Sequence, residues 1–368
     1  MLSSILQLLF NAADIIVVGR FAGDASLAAV TSTGSLVNLL VNLFMGLSIG
    51  ANVTVAHAIG HGHAERTEKT VHTAILLSFI GGIILAVVGF CFARPLLELM
   101  SSPENVIALS ALYLKIYFLG MPASLAYNFG SALLRAGGDT QRPLAFLSVA
   151  GVVNVILNLI LVIVFHLDVA GVAIATVISQ CISALLVLRC LMKEEGPLHL
   201  DLKALRLDKG ALKSIVQIGL PAGFQGIVFS ISNVVIQSSV NSFGDIVMAG
   251  SGASANVEGF VYVGMNAFYQ TCLTFTGQNY GAGKLERVDR VVLLCQAFGC
   301  VTGVVLGGLA YLFGPQLLSI YSSNPEVIAS GMTRMAYVGL PYFLCGIMDV
   351  MVGALRGLGW SVAPMVVS

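Results

Sequence analysis

Apolar runs of about 20 residues, parted by short polar turns, fill almost the whole chain. They lie at approximately 2–18, 33–57, 72–93, 106–134, 144–165, 169–192, 212–240, 248–276, 291–313 and 327–355, and an eleventh opens at Ser361. A helix of that length crosses about 30 Å of hydrocarbon, whereas a barrel strand needs only about 9–11 residues. In lipid each segment must satisfy its own backbone polar groups. The pattern therefore predicts an all-α integral membrane protein with about ten transmembrane helices.

Fourteen of the eighteen Lys and Arg residues fall after even-numbered runs: Arg66 and Lys69; Arg135 and Arg142; Arg189, Lys193, Lys203, Arg206, Lys209 and Lys213; Lys284, Arg287 and Arg290; and Arg356. Loops that keep positive charge stay in the cytoplasm, so the N-terminus is expected inside the cell. Arg20, Arg94, Lys115 and Arg334 are the four exceptions.

The same turns recur at an offset of 221 residues. Gly23-Asp24 falls on Gly244-Asp245, Gly60, Gly62, Glu65 and Arg66 on Gly281, Gly283, Glu286 and Arg287, Ser101-Ser102 on Ser322-Ser323, Arg135 on Arg356, and Pro143 on Pro364. Six runs per copy is an even number, so both copies enter the membrane from one side, as a parallel repeat of two six-helix lobes. The expected organisation is an N-terminal lobe over 1–192, a basic cytoplasmic linker over 193–211, and a C-terminal lobe over 212–368. That second lobe holds runs seven to ten and the start of the next, its last two helices lying beyond Ser368. The same arithmetic places the start of the first run ahead of Met1.

Composition narrows the function classes. Apolar residues make up 57% of 368 and charged residues 10%, with a mean hydropathy of +0.93, too little polar surface for a soluble domain. Eighteen basic and eighteen acidic residues cancel, which leaves no electrostatic footprint for nucleic acid. Seven scattered cysteines without a CxxC pair read as packing residues rather than disulfides or a zinc site. The N-terminal run lacks a basic flank and a small-residue cleavage site, so it reads as a mature helix, not a signal peptide. No P-loop, GxSxG, HExxH or kinase signature is present, so the expectation is a protein that is not an enzyme, with no nucleotide, metal or resident cofactor.

Only Asp14, Glu258 and Asp349 among the acids sit well inside the runs. A charge there costs roughly 3 kcal/mol or more, so each needs either a cation or proton to bind, or an inward partner such as an Arg, Lys or amide. Amides gather around them: Asn128, Asn154, Asn158 and Gln180 early, then Gln217, Gln225, Asn233, Gln237, Asn256, Asn266 and Gln270. Asn154 and Asn158, four apart, share a helix face. Any one amide can equally glue helices together. Asn128 and Asp349 are repeat partners, so one position carries an amide in one half and an acid in the other. Pro122 and Pro341, each two residues after a Gly, interrupt runs four and ten, as hinges or as static kinks. His57, His61 and His63 cluster at a cytoplasmic turn, where solvated histidines are more usual than a metal site.

The segments Leu9-Phe10-Asn11-Ala12-Ala13-Asp14-Ile15-Ile16-Val17-Val18-Gly19-Arg20, Gly60-His61-Gly62-His63-Ala64-Glu65-Arg66, Leu133-Leu134-Arg135-Ala136-Gly137-Gly138-Asp139-Thr140, Gly277-Gln278-Asn279-Tyr280-Gly281-Ala282-Gly283 and Gly353-Ala354-Leu355-Arg356-Gly357 closely resemble the multidrug and toxic compound extrusion (MATE) family. The resemblance spans essentially the whole chain. It implies two six-helix lobes that alternate between outward-open and inward-open states, exporting small cationic or amphipathic organic compounds in exchange for H⁺ or Na⁺. It also implies a multi-pass inner (plasma) membrane location, a monomer, and the lipid bilayer as surroundings. The family's first-lobe cation site matches Asp14, Asn154, Asn158 and Thr176, with Asn158 standing where relatives carry a second carboxylate. That departure favours H⁺ over Na⁺ as the coupling ion. Glu258, after Asn256, and Asp349 match acidic positions tied to substrate or second-lobe coupling. The competing reading is a flippase of lipid-linked precursors, which the scarcity of Lys and Arg inside the runs disfavours.

Overall fold

The computed structural model describes residues 5–7, 10, 14, 17, 18, 21, 23–99, 104–322 and 324–367. Arg20, Ser101, Ser102, Ser323 and much of the first apolar run lie outside them. The described residues between 5 and 21 are helical, and the helices that follow are α1 (Gly23–Gly60), α2 (Ala64–Leu99), α3 (Glu104–Leu119), α4 (Met121–Ala136), α5 (Gln141–Leu159, extended by a π-helical turn at Ile160–Val164) and α6 (Asp168–Lys193). An irregular stretch with a 3₁₀ turn at Leu202–Ala204 leads to α7 (Lys209–Asn241), α8 (Asp245–Gly281), α9 (Leu285–Leu312), α10 (Gly314–Ser319), α11 (Pro325–Arg334), α12 (Phe343–Gly357) and α13 (Val362–Val367). No strand occurs among the described residues.

Seven of these helices or helix series are long and apolar enough to span a membrane, and the bent α3–α4 pair makes an eighth. The difference from ten has two sources. The first run is mostly outside the described residues. The helix α8, 37 residues long, is too polar to qualify, because it carries Asp245, Asn256, Glu258, Asn266 and Gln270 along its length. Large apolar side chains face outward along the spans, among them Ile83, Val87 and Phe92 of α2, Val234 and Val235 of α7, and Leu293, Phe298 and Val301 of α9. Such a surface needs lipid, not water.

The repeat appears in the backbone. Subtracting 221 from α8 and α12 gives 24–60 and 122–136, nearly the bounds of α1 and α4. The turns coincide in conformation: Gly62 and Gly283 have φ of +70° and +69°, and Gly138 and Gly359 have +92° and +91°. These left-handed values close the same helix ends, where a Cβ would strain the backbone.

The chain packs as two compact units, Leu2–Gly226 and Ile227–Ser368. Their boundary falls within α7, since the first half of that helix belongs with α1. A Cβ on Gly46 would lie 2.2 Å from Gly223 N, and one on Gly219 would lie 2.6 Å from Leu47 Cα. Small residues on both helices let the backbones touch, the usual source of helix association in lipid. The linker is docked on α2 by two adjacent side chains. His72 Nε2 accepts from Asp201 N at 3.0 Å, and Thr73 Oγ1 accepts from Asp208 N at 3.0 Å while donating to Arg206 O at 3.4 Å.

Both proline-marked runs are broken, in different ways. Run four divides at Gly120 into α3 and α4, bent by 49°. Pro122 occupies the first turn of α4, where its missing N–H is not needed. Run ten continues from α11 through a π turn, Met335–Gly339, and a 3₁₀ turn, Leu340–Tyr342, into α12. Pro341 lies in that 3₁₀ turn, and the widened and then tightened turns absorb its lost donor.

Candidate functional site

Asp14 is brought to α5 and α6 by small and apolar contacts on both sides. Phe10 enters the space that a side chain on Gly151 would take, an added Cβ lying 1.8 Å from its ring. Val17 and Val18 pack with Val162 and Val172, with Tyr113 laid against that cluster. Asn158 donates one amide hydrogen to Asp14 Oδ1 and another to Asn154 Oδ1 at 3.3 Å. Asn154 and Asn158 are buried, and Asn158 Oδ1 has no hydrogen-bond partner among the described residues. A buried acceptor without a donor is costly. The cluster therefore offers a carboxylate and a spare amide oxygen on one wall, a donor set suited to a hard monovalent cation or a proton.

The other members of this set bond back to their own helices. Thr176 Oγ1 donates to Val172 O of its own helix at 2.9 Å. Asn128 Nδ2 likewise bonds back to Ser124 O at 2.8 Å. Tyr113 and Tyr117 stack at 5.8 Å between ring centres, both near enough to Asp14 to feel its charge. No motif marked these phenols in the sequence; their common face on one run, four residues apart, was the available signal.

In the second unit the two acids have unlike surroundings. Glu258 is buried and bound bidentately by Arg334, with Nε to Oε1 and Nη2 to Oε2 each at 3.1 Å. Ser254 Oγ donates to Oε1 at 2.9 Å, and Arg334 Nη1 donates to Ser251 Oγ at 2.8 Å. Of the two readings open for Glu258, the inward arginine partner is what the structure contains. Arg334 is one of the four cations that break the charge asymmetry, and this pairing accounts for its place inside a span. Lys115 and Arg94, two further exceptions, are met by the Phe90 ring at 5.5 Å and by Glu98 at 2.9 Å.

Asp349 keeps an oxygen, Oδ2, buried without a partner among the described residues, and the Tyr262 phenol lies near the carboxylate. Asn266 Nδ2 donates to Tyr262 Oη at 3.4 Å, and the Tyr262 and Tyr342 rings stand 6.5 Å apart. Asn256 is not part of either group; it is exposed and bonds to Gly252 O at 3.0 Å. His61 and His63 stack at 5.8 Å in the turn after α1.

Together, apolar spanning helices, an internal repeat and buried carboxylates set among amides define a polytopic membrane transporter rather than an enzyme. The family model MatE matches residues 1–160 and 221–368. The chain belongs to this family, the multidrug and toxic compound extrusion transporters. It is 30% identical to the probable multidrug resistance protein YoeA of Bacillus subtilis, over 100% of this chain and 81% of that protein. It is 26% identical to the FAD transporter of Shewanella oneidensis, over 98% and 80% of the two chains. An outward-facing structure of a multidrug resistance MATE family transporter superposes with a TM-score of 0.93 at 22% identity, covering 100% of this chain and 82% of that one.

Proposed function

We propose that the protein exports small organic compounds from the cell by cation antiport with alternating access, using Asp14 as the coupling carboxylate. The observation that carries this is the Asp14–Asn158–Asn154 cluster: a membrane-embedded acid fixed by an amide donor, beside a spare buried acceptor. A carboxylate in that position trades one positive charge for another when access changes sides, so binding a proton or Na⁺ and binding a cationic compound become linked. Asn154 and Asn158 orient the site, Thr176 completes its helix wall, and Pro122 and Pro341 mark where the helices bend. Because Asn158 brings no second charge, H⁺ is the coupling ion. The protein resides in the plasma membrane with its N-terminus in the cytoplasm, and acts as a monomer on cationic or amphipathic substrates.

A second reading draws on the FAD transporter among the relatives, namely export of an anionic dinucleotide. Proteoliposome assays with ethidium and with FAD, under imposed pH and Na⁺ gradients, separate the two. Ethidium movement driven by the pH gradient and lost in Asp14→Asn is the expected result. Transport of FAD alone, or dye movement indifferent to both gradients and to Asp14→Asn, would overturn the proposal.

A further inference from the structure

Glu258 and Arg334 form the least exposed ion pair among the described residues, with side-chain exposures of 7% and 27%. Both carboxylate oxygens are taken, each by one arm of the guanidinium and one of them also by Ser254. The third arm is tied to Ser251. A planar guanidinium held in this fork occupies the place a mobile cation would need. The cavity beside Glu258, between Tyr311 and Tyr342, measures ≈10 Å³, about one water-sized sphere. Both carboxylate oxygens that a second cation there would need are already held by Arg334.

The repeat gives Arg334 a counterpart. At an offset of 221 its partner is Tyr113, which packs on the Val17–Val18 cluster within electrostatic reach of Asp14. One repeat position thus supplies the neighbour of a buried carboxylate in each unit. Beside Asp14 it is a neutral phenol, which leaves the acid's charge for an exchangeable ion. Beside Glu258 it is a fixed cation. The other groups facing Glu258 are Tyr311 of α9, Tyr342 of the 3₁₀ turn, and Ser251 and Ser254 of its own helix. None of these is a carboxylate or a second base, so Arg334 is the charged partner of Glu258 among the described residues.

We infer that Arg334 is a tethered cation that closes Glu258 to exchangeable ions, so that of the two carboxylates neighbouring this repeat position only Asp14 exchanges its cation. The second clause rests on the coupling role proposed for Asp14; the first stands without it. The test counts bound cations on the purified protein, by proton uptake in a pH-stat titration and by equilibrium dialysis against ²²Na⁺. Arg334→Met is expected to raise the count of bound H⁺ or Na⁺ by one equivalent, and adding Glu258→Gln in that background should remove it. An unchanged count in a monodisperse Arg334→Met protein overturns the inference. So does the loss of one equivalent on Glu258→Gln in the otherwise unaltered chain. If the Met variant cannot be purified, Arg334→Gln keeps a hydrogen-bonding amide against Glu258 without the charge, and must show the same extra equivalent; its absence counts equally against the inference. Asp14→Asn should remove one equivalent in every background. Failure of that arm by itself sinks the coupling role of Asp14 and leaves the closure of Glu258 standing.

Discussion

Asn158 is bonded to Asp14 and to Asn154 at once, spending both of its amide hydrogens inside the membrane. A carboxylate placed here would repel Asp14 unless a cation sat between the two. Asn158→Asp is therefore expected to make export respond to Na⁺. Dye export by the variant in proteoliposomes should rise several-fold under an imposed Na⁺ gradient, where the unaltered protein follows the pH gradient. Indifference of the variant to Na⁺ would show that residue 158 does not select the ion.

Gly82 abuts the broken run in the first unit, and its repeat partner abuts the equivalent break in the second. A Cβ on Gly82 would lie 2.3 Å from Pro122 Cα, and one on Gly303 would lie 2.8 Å from Phe343 Cα; residues 122 and 343 are themselves 221 apart. Backbone on both sides leaves little room to yield, and overpacking of this kind costs about 1–3 kcal/mol. Gly82→Ala and Gly303→Ala should each lower the thermal midpoint in detergent by several degrees. Gly308→Ala, with open space around its Cβ, should not lower it. Equal midpoints for all three variants would contradict the close contact.

Thr73 satisfies the linker from both directions, accepting from Asp208 N and donating to Arg206 O. Thr73→Val removes a hydrogen-bonding partner worth about 1 kcal/mol, roughly a five-fold rise in the opened population. Limited trypsin digestion of the native protein should then cut at Lys203 or Arg206 several-fold faster. Unaltered cleavage would mean that His72 and the surrounding packing hold the segment without it.

Arg356 Nη1 donates to Tyr269 Oη at 2.7 Å in a buried setting, with the guanidinium 5.9 Å from the ring centre. Tyr269→Phe keeps the ring and removes the acceptor, at a cost of about 1.5–3 kcal/mol for a bond to a charged group. Its thermal midpoint should fall clearly below that of Tyr280→Phe, whose ring is exposed. A smaller shift for Tyr269→Phe would assign the contact to packing alone.

Much of this architecture follows from the chain itself. Apolar length forces helices in lipid, and the 221-residue offset anticipates that Gly62 and Gly283, or Gly138 and Gly359, share a backbone conformation, because a left-handed helix end is a local property of the turn. The amide spacing of Asn154 and Asn158 likewise marks a shared face. Position along the chain left three things open, which partners across helices decided. Asn158, not Thr176, is the residue that reaches Asp14, since the Thr176 hydroxyl is drawn to its own helix carbonyl. Asn256 and Asn128 turn back to their own helices, where a nearby carbonyl competes with any distant ligand. Glu258 and Arg334 lie 76 residues apart and share no local pattern, so only the packing of α8 against α11 shows that this acid is paired with a cation, whereas among the described residues Asp14 is in no ion pair.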